Sequence, residues 1–164
     1  MEMVVKDNLL KKCINEKDWD NLLLRACEIG DNYAIDFAIK NGANVNYANN
    51  FRQTPIMFSL KNADVATVKK LINLGADVSK IDSNGNSTYM YALGMDYKLA
   101  KDCYLEKDRT ECVKCISDKH NADANVQNSA SISPLHLACR FGFNDAIETL
   151  LLEGANPNAC DVKG

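Results

Sequence analysis

A chain of 164 residues, 46% hydrophobic and 25% charged, has the length of one ordinary domain and enough apolar content to bury a core. No run approaches the roughly 18 apolar residues of a membrane span, and residues 1–12 carry charges at Glu2, Lys6, Asp7, Lys11 and Lys12 with no apolar run of signal-peptide length. Nineteen basic against 22 acidic residues give a formal charge of −3, which argues against nucleic acid or an anionic membrane as partner, and seven cysteines, an odd number set inside helical segments, are expected as reduced thiols in the cytoplasm or nucleus.

Residues 1–15 place Leu9, Leu10 and Ile14 at helical spacing among Lys11, Lys12 and Asn15, the pattern of an amphipathic helix. Trp19 follows and is expected to seal that helix onto the next unit. From residue 16 the chain repeats itself. Glycine-containing tails recur 33 residues apart as Asn41-Gly42-Ala43-Asn44-Val45-Asn46 and Leu74-Gly75-Ala76-Asp77-Val78-Ser79. A third, Asn121-Ala122-Asp123-Ala124-Asn125, comes 46 residues after Gly75, and Gly154-Ala155-Asn156-Pro157-Asn158 follows it by 33. The units are therefore 16–48, 49–81, 82–127 and 128–160, with an insertion near 96–108 in the third.

Each tail closes two helix-length segments. The first opens on a capping residue with proline in the first turn, where the missing N–H costs nothing: Thr54-Pro55-Ile56 and Ser133-Pro134-Leu135. Asn21 and Ser87 hold the same phase without the proline. In the second segment apolar residues recur at helical spacing (Ile35, Ala38 and Ile39; Val68, Leu71 and Ile72; Val113 and Ile116; Ile147, Leu150 and Leu151), giving each helix a stripe that only stacking can bury. Ala26, Ser59, Ala92 and Ala138 let the first helices approach closely. Gly42, Gly75 and Gly154 suit the left-handed turn that ends a helix, and Asn121 is the tolerated substitute.

The run Ser133-Pro134-Leu135-His136-Leu137-Ala138-Cys139-Arg140-Phe141-Gly142 is similar to the Thr-Pro-Leu-His-x-Ala-Ala-x-x-Gly signature of the ankyrin repeat, and the tails complete that family's pattern. The resemblance implies an all-α ankyrin-repeat solenoid of stacked antiparallel helix pairs with short hairpin-like turns, of which Asp82-Ser83-Asn84-Gly85 is the clearest. It further implies an N-terminal capping helix over residues 1–15, and a concave face formed where hairpin tips project beside the first helices. Residues 161–164, Asp161-Val162-Lys163-Gly164, match the way the family begins a further hairpin. The fourth repeat is close to consensus, so an exposed apolar strip is expected on its outer face, with the repeats continuing after Gly164.

Cys112-x-x-Cys115, with His120 nearby and Cys103 in the insertion, invites a zinc or redox reading, since thiolates three apart share a helix face. Cys112 nevertheless holds the slot of Ala34, Thr67 and Ala146, so small buried thiols are the simpler account. His136 beside Cys139 has no third orienting group, and the resemblance implies that it hydrogen-bonds turn backbone between neighbouring repeats. No phosphate-cradling loop, HExxH or EF-hand spacing occurs. No catalytic residue, cofactor or metal is expected.

The positions the repeat leaves free are the hairpin tips and the last residues of each first helix. The helix ends give Glu28 and Ile29, Lys61 and Asn62, Gly94 and Met95, then Arg140 and Phe141; the tips give Asn50, Phe51 and Gln53, Ser83, Asn84 and Asn86, and Ser129, Ala130 and Ile132. Ile29, Phe51, Met95, Ile132 and Phe141 make an apolar row flanked by Arg140 and Lys61, the composition of an interface centre, with Phe51 and Phe141 as anchors. Lys61, Lys69, Lys70 and Lys80 are diluted by Asp64, Asp77 and Asp82, which argues against a nucleic-acid face. The expected function is a monomeric, non-catalytic adaptor or scaffold that binds a protein partner. The alternatives are a regulatory or targeting module of a larger enzyme, channel or ubiquitin-ligase component, and a cysteine switch at Cys103, Cys112 and Cys115.

Overall fold

Aspartate side chains set most of the early helix starts in the computed structural model, which describes residues 7–95, 106–119 and 121–161. Asp7 accepts from the Leu9 and Leu10 N–H groups to open α1 (Asn8–Glu16), and Asp18, Asp31 and Asp64 do the same for α2 (Trp19–Ile29), α3 (Asn32–Lys40) and α5 (Val65–Asn73). Pro55 and Pro134 occupy the first turns of α4 (Pro55–Lys61) and α8 (Pro134–Phe141). Helices α6 (Thr88–Leu93), α7 (Glu106–Ser117) and α9 (Asn144–Leu152) complete the described helices.

Single stripes drive the pairing. Helices α2 and α3, α4 and α5, α6 and α7, and α8 and α9 pack as neighbours, while α2, α4, α6 and α8 contact one another in succession. Ala26, Ala92 and Ala138 are fully buried along that seam and Ser59 nearly so, as close helix approach requires. Ile35, Val68, Val113, Leu71, Ile116 and Leu150 fill the layer beneath. Among the described residues the only β-bridge joins Ile81 to Ser87. The all-α stack of helix pairs is thus as the sequence implies, and Gly42, Gly75 and Gly154 all take the left-handed conformation, with φ of 89°, 88° and 82°.

Polar latches cross the joints between repeats. Asn46 donates to the Gly75 carbonyl (3.0 Å) and accepts from the Asp77 N–H (2.7 Å); Asn125 donates to the Gly154 carbonyl (2.9 Å) and accepts from the Asn156 N–H (2.7 Å). At the joint between, Ser79 is too short to reach and folds back on Asp77. On the other side of the stack, Lys70–Asp36, Lys69–Glu111 and Lys114–Asp145 pair successive second helices. These pairs are exposed, so each adds at most about 1 kcal/mol.

Four expectations change in detail. Leu9 is 56% exposed, leaving Leu10 as the buried anchor of α1 with Cys13 and Ile14 packed beside it. Helix α2 begins at Trp19, ahead of the phase position Asn21, and Trp19 meets the Phe37 ring edge-on at 5.8 Å, so it closes the first helix pair from within. Of the predicted insertion near 96–108, residues 96–105 lie outside the described residues, and Glu106, Lys107 and Asp108 form the first turn of α7. His136 directs Nδ1 at the Ser133 N–H (3.1 Å), closing the capping box of its own helix rather than a turn in a neighbouring repeat.

Candidate protein-binding face

Hairpin geometry decides which tip residues are free. Asn49 accepts from the Phe51 and Gln53 N–H groups, Asp82 from those of Asn84 and Asn86, and Asn128 from those of Ala130 and Ile132. The fourth residue of each turn, Arg52, Gly85 or Ser131, is left-handed. Successive tips are stitched by main chain: the Ser83 N–H donates to the Phe51 carbonyl and the Ser129 N–H to that of Asn84, both at 2.9 Å. The tips therefore form one continuous polar ridge.

On that ridge Asn50, Phe51, Ser83, Asn84 and Ser129 expose their side chains, Phe51 at 65%. Asn86 does not. It is 4% exposed, its amide donates to Asp82 (2.9 Å) and its carbonyl accepts from Asn128 (2.9 Å), so it joins two hairpins instead of offering a free group. Gln53 is half-buried between Asn49 and the Tyr91 hydroxyl, to which it donates at 3.0 Å. Ile132 is half-buried against the core.

The helix-end row divides similarly. Ile29 is 42% exposed at the end of α2. Asn62, though exposed, donates to the Cys27 and Glu28 carbonyls at 3.0 Å each, which caps the last turn of α2 from the next repeat. Lys61 and Met95 are half-buried, Met95 against the core. Arg140 is exposed and already engaged with a neighbour. Phe141 is half-buried and tilts over Phe143 with centroids 5.7 Å apart. The structure thus leaves Ile29, Asn50, Phe51, Ser83, Asn84 and Ser129 as exposed side chains on this face.

The residue that sequence reasoning passed over is Arg109, 2% exposed in the second turn of α7. Its guanidinium donates to the Ala92 carbonyl at 3.0 Å and approaches that of Lys61 at 3.5 Å, bridging the C-terminal ends of α6 and α4. Gly94 makes room for it: a Cβ there would lie 2.8 Å from the guanidinium carbon. The signal was in the phase. Counted back from the buried Val113, Arg109 holds the slot that Asp31 and Asp64 hold before Ile35 and Val68, so a helix cap has been exchanged for a buried cation and α7 begins a turn earlier.

Cys112 and Cys115 are both buried, and burial pushes the Cys112 thiol up to about 12 and raises that of Cys115. Cys103 and His120 lie outside the described residues. Among the described residues no three His, Cys, Asp or Glu side chains come together as a metal-binding group, and no helix is long and apolar enough to cross a membrane. Lys69, Lys70 and Lys80 each face a carboxylate, of Glu111, Asp36 and Asp77.

Residues 6–102 match the family description "Ankyrin repeats (3 copies)" and residues 132–162 match "Ankyrin repeat". The chain belongs to the ankyrin repeat family. Curated relatives include an ankyrin repeat protein of Acanthamoeba polyphaga mimivirus, 30% identical over 66% of this chain and 61% of that protein. The B-cell lymphoma 3 protein homolog of Mus musculus is 26% identical over 73% of this chain and 25% of its own length. Alpha-latroinsectotoxin-Lt1a of Latrodectus tredecimguttatus is 27% identical over 65% of this chain and 7% of its own. The chain spans less than two thirds of each of these relatives. Ankyrin repeats are in general protein–protein interaction modules and typically non-catalytic.

Proposed function

We propose that this chain is an adaptor or scaffold that binds a partner protein along the tip ridge and the adjoining ends of the first helices. The observation that carries the reading is Phe51, a large aromatic held out at 65% exposure on a hairpin whose backbone is tied to its neighbour. An aromatic fixed in this way loses little freedom on binding, which is what an interface anchor needs. Ile29 supplies a second apolar contact, and Asn50, Ser83 and Asn84 supply a polar rim. The isolated module acts as a monomer in the cytoplasm or nucleus.

A second reading places the same face in a regulatory or targeting region of a larger protein, an enzyme, channel or ubiquitin-ligase component. It is favoured by the small share of two relatives' length that the chain spans, 7% and 25%. The test is affinity capture with wild type, with Phe51→Ser/Asn84→Ala, and with Tyr33→Ser, a control at an exposed aromatic of α3. A protein retained by wild type and the Tyr33 control but lost from the tip variant supports the face. Retention by the tip variant together with loss from the Tyr33 control overturns it.

A further inference from the structure

The main-chain ladder along the tips has a direction, and its first rung is missing. Each rung runs from the second residue of one turn to the third residue of the turn before, Ser83 N–H to the Phe51 carbonyl and Ser129 N–H to the Asn84 carbonyl. By phase the donor that precedes these is Asn50, and its acceptor would be the carbonyl of Asp18, 33 residues before Phe51. That rung does not form. Helices α1 and α2 meet there in a tight turn instead of a hairpin, with Lys17 left-handed at the end of α1 and the Asp18 carbonyl taken by the Leu22 N–H at 3.0 Å. Among the described residues no acceptor meets the Asn50 N–H.

The unmet donor is held in a fixed place. Asn50 is the second residue of a turn closed by the Arg52 N–H on the Asn49 carbonyl (2.8 Å), and Asn49 Oδ1 braces that turn by accepting from the Phe51 and Gln53 N–H groups at 2.9 Å each. Phe51, the next residue, is 65% exposed. Arg52 after it is exposed and pairs with no carboxylate among the described residues. The two later turns carry Asn84 and Ala130 in place of Phe51, and Gly85 and Ser131 in place of Arg52, and their donors are already spent on the ladder. A fixed unmet N–H, an exposed aromatic ring and an unpaired cation therefore coincide at one turn of the three.

We infer that the Asn50 edge of the ridge takes an extended acidic segment of a partner protein, which supplies the missing rung by placing a main-chain carbonyl on the Asn50 N–H. An apolar side chain of the segment lies on Phe51, and an acidic one pairs with Arg52. The inference rests on the tip-ridge reading proposed above and narrows it from a face to one strand-like contact. The two rungs already formed, both at 2.9 Å, show that a carbonyl set beside such a turn completes the pairing. Main-chain pairing of this kind gives affinity to any extended segment, while Phe51 and Arg52 select among segments by side chain.

Proline separates the backbone donor from the side chain. It suits the second residue of a turn, and the Asn50 N–H makes no bond within the described chain, so Asn50→Pro removes the donor and leaves the turn, whereas Asn50→Ala removes only the carboxamide. A displayed library of random dodecapeptides is selected on the whole chain, and the recovered peptides are measured against wild type and the Asn50→Pro, Asn50→Ala and Phe51→Ser variants. The expected result is peptides that bind about tenfold more weakly to Asn50→Pro and to Phe51→Ser, and within about threefold of wild type to Asn50→Ala. Amide hydrogen exchange read by nuclear magnetic resonance gives a second measurement on the wild-type chain. Without peptide Asn50 is expected to exchange at least about tenfold faster than Ser83 and Ser129, and saturating peptide to slow it about tenfold. Peptides that lose affinity for Phe51→Ser but bind Asn50→Pro as wild type overturn the inference and leave the tip ridge standing, whereas peptides indifferent to both variants overturn both. A library that yields no peptide weakened by Asn50→Pro overturns the inference, and so does unchanged Asn50 exchange at saturating peptide, whether or not the proline variant keeps its turn. Concentration-dependent self-association that protects Asn50 also overturns it, because a second copy then supplies the carbonyl.

Discussion

Phe51 and Phe141 look alike in sequence, two aromatics at positions without core duty, and truncating each to alanine separates surface from support. Phe141 is half-buried and tilts on Phe143. Half of the roughly 1.5–3 kcal/mol for a fully buried phenylalanine, plus about 0.5–1.5 kcal/mol for an aromatic pair, puts Phe141→Ala near a loss of about 2 kcal/mol. For a chain of this size that lowers the melting temperature by about 4–8 °C. Phe51, at 65% exposure and with no ring partner among the described residues, is expected to change stability by no more than about 0.5 kcal/mol on truncation. Thermal melts followed by far-ultraviolet circular dichroism at pH 7 measure both. A Phe51 variant that melts as low as the Phe141 variant refutes the assignment of Phe51 to a free surface, and an unshifted Phe141 variant refutes the supporting role given to its ring.

Three further outcomes follow from contacts elsewhere in the stack. Gly94 and Gly142 both end first helices with left-handed φ, 77° and 73°, but a Cβ at Gly142 meets open space whereas one at Gly94 meets Arg109. Both alanine variants gain roughly 1 kcal/mol of backbone strain and lose that much stability, and Gly94→Ala is expected to lose clearly more in urea unfolding; equal losses would show that Arg109 yields freely. Asn62→Ala removes two hydrogen bonds to the end of α2, a loss of about 1–2 kcal/mol, and hydrogen exchange at Asp31 and Gly30 checks whether that turn frays first. Burial pushes Cys27, Cys112 and Tyr89 each up to about 12, above ordinary values of 9.0 for the thiols and 10.0 for the phenol. The folded chain therefore keeps protons that the unfolded chain releases. The stability these groups contribute is complete below pH 9 and falls by about 1.4 kcal/mol per pH unit for each titrating group as pH rises toward 12. Melts at pH 8, 9, 10 and 11 test the sign, and a midpoint that stays level or rises across that range contradicts it.

The repeat, the stacking seam and the glycine turns were readable because each is a local pattern recurring at fixed spacing, and four copies corroborate one another. What escaped was decided between copies. Asp82 shows why: the phase marks Asn86 as a tip residue, yet the Asp82 carboxylate accepts from the Asn84 and Asn86 N–H groups, the Asn86 amide and the Tyr91 hydroxyl, and this holds Asn86 where Asn128 of the next hairpin can reach it. Four donors converge on one side chain from three parts of a repeat, and no periodicity reports that. Phe141 is half-buried for a related reason. The slot before α9 that carries Asp31 and Asp64 in earlier repeats carries Phe143, so the helix gives up its side-chain cap and gains a buried ring, and that ring makes a surface position into a supporting one. Arg109 is the same exchange in the third repeat. The copies that depart from consensus in that one slot are the third and fourth, and in each the departure draws a neighbouring helix-end residue, Gly94 or Phe141, into the structure. In the first and second repeats, where the aspartate caps are intact, Ile29, Asn50 and Phe51 keep their side chains exposed.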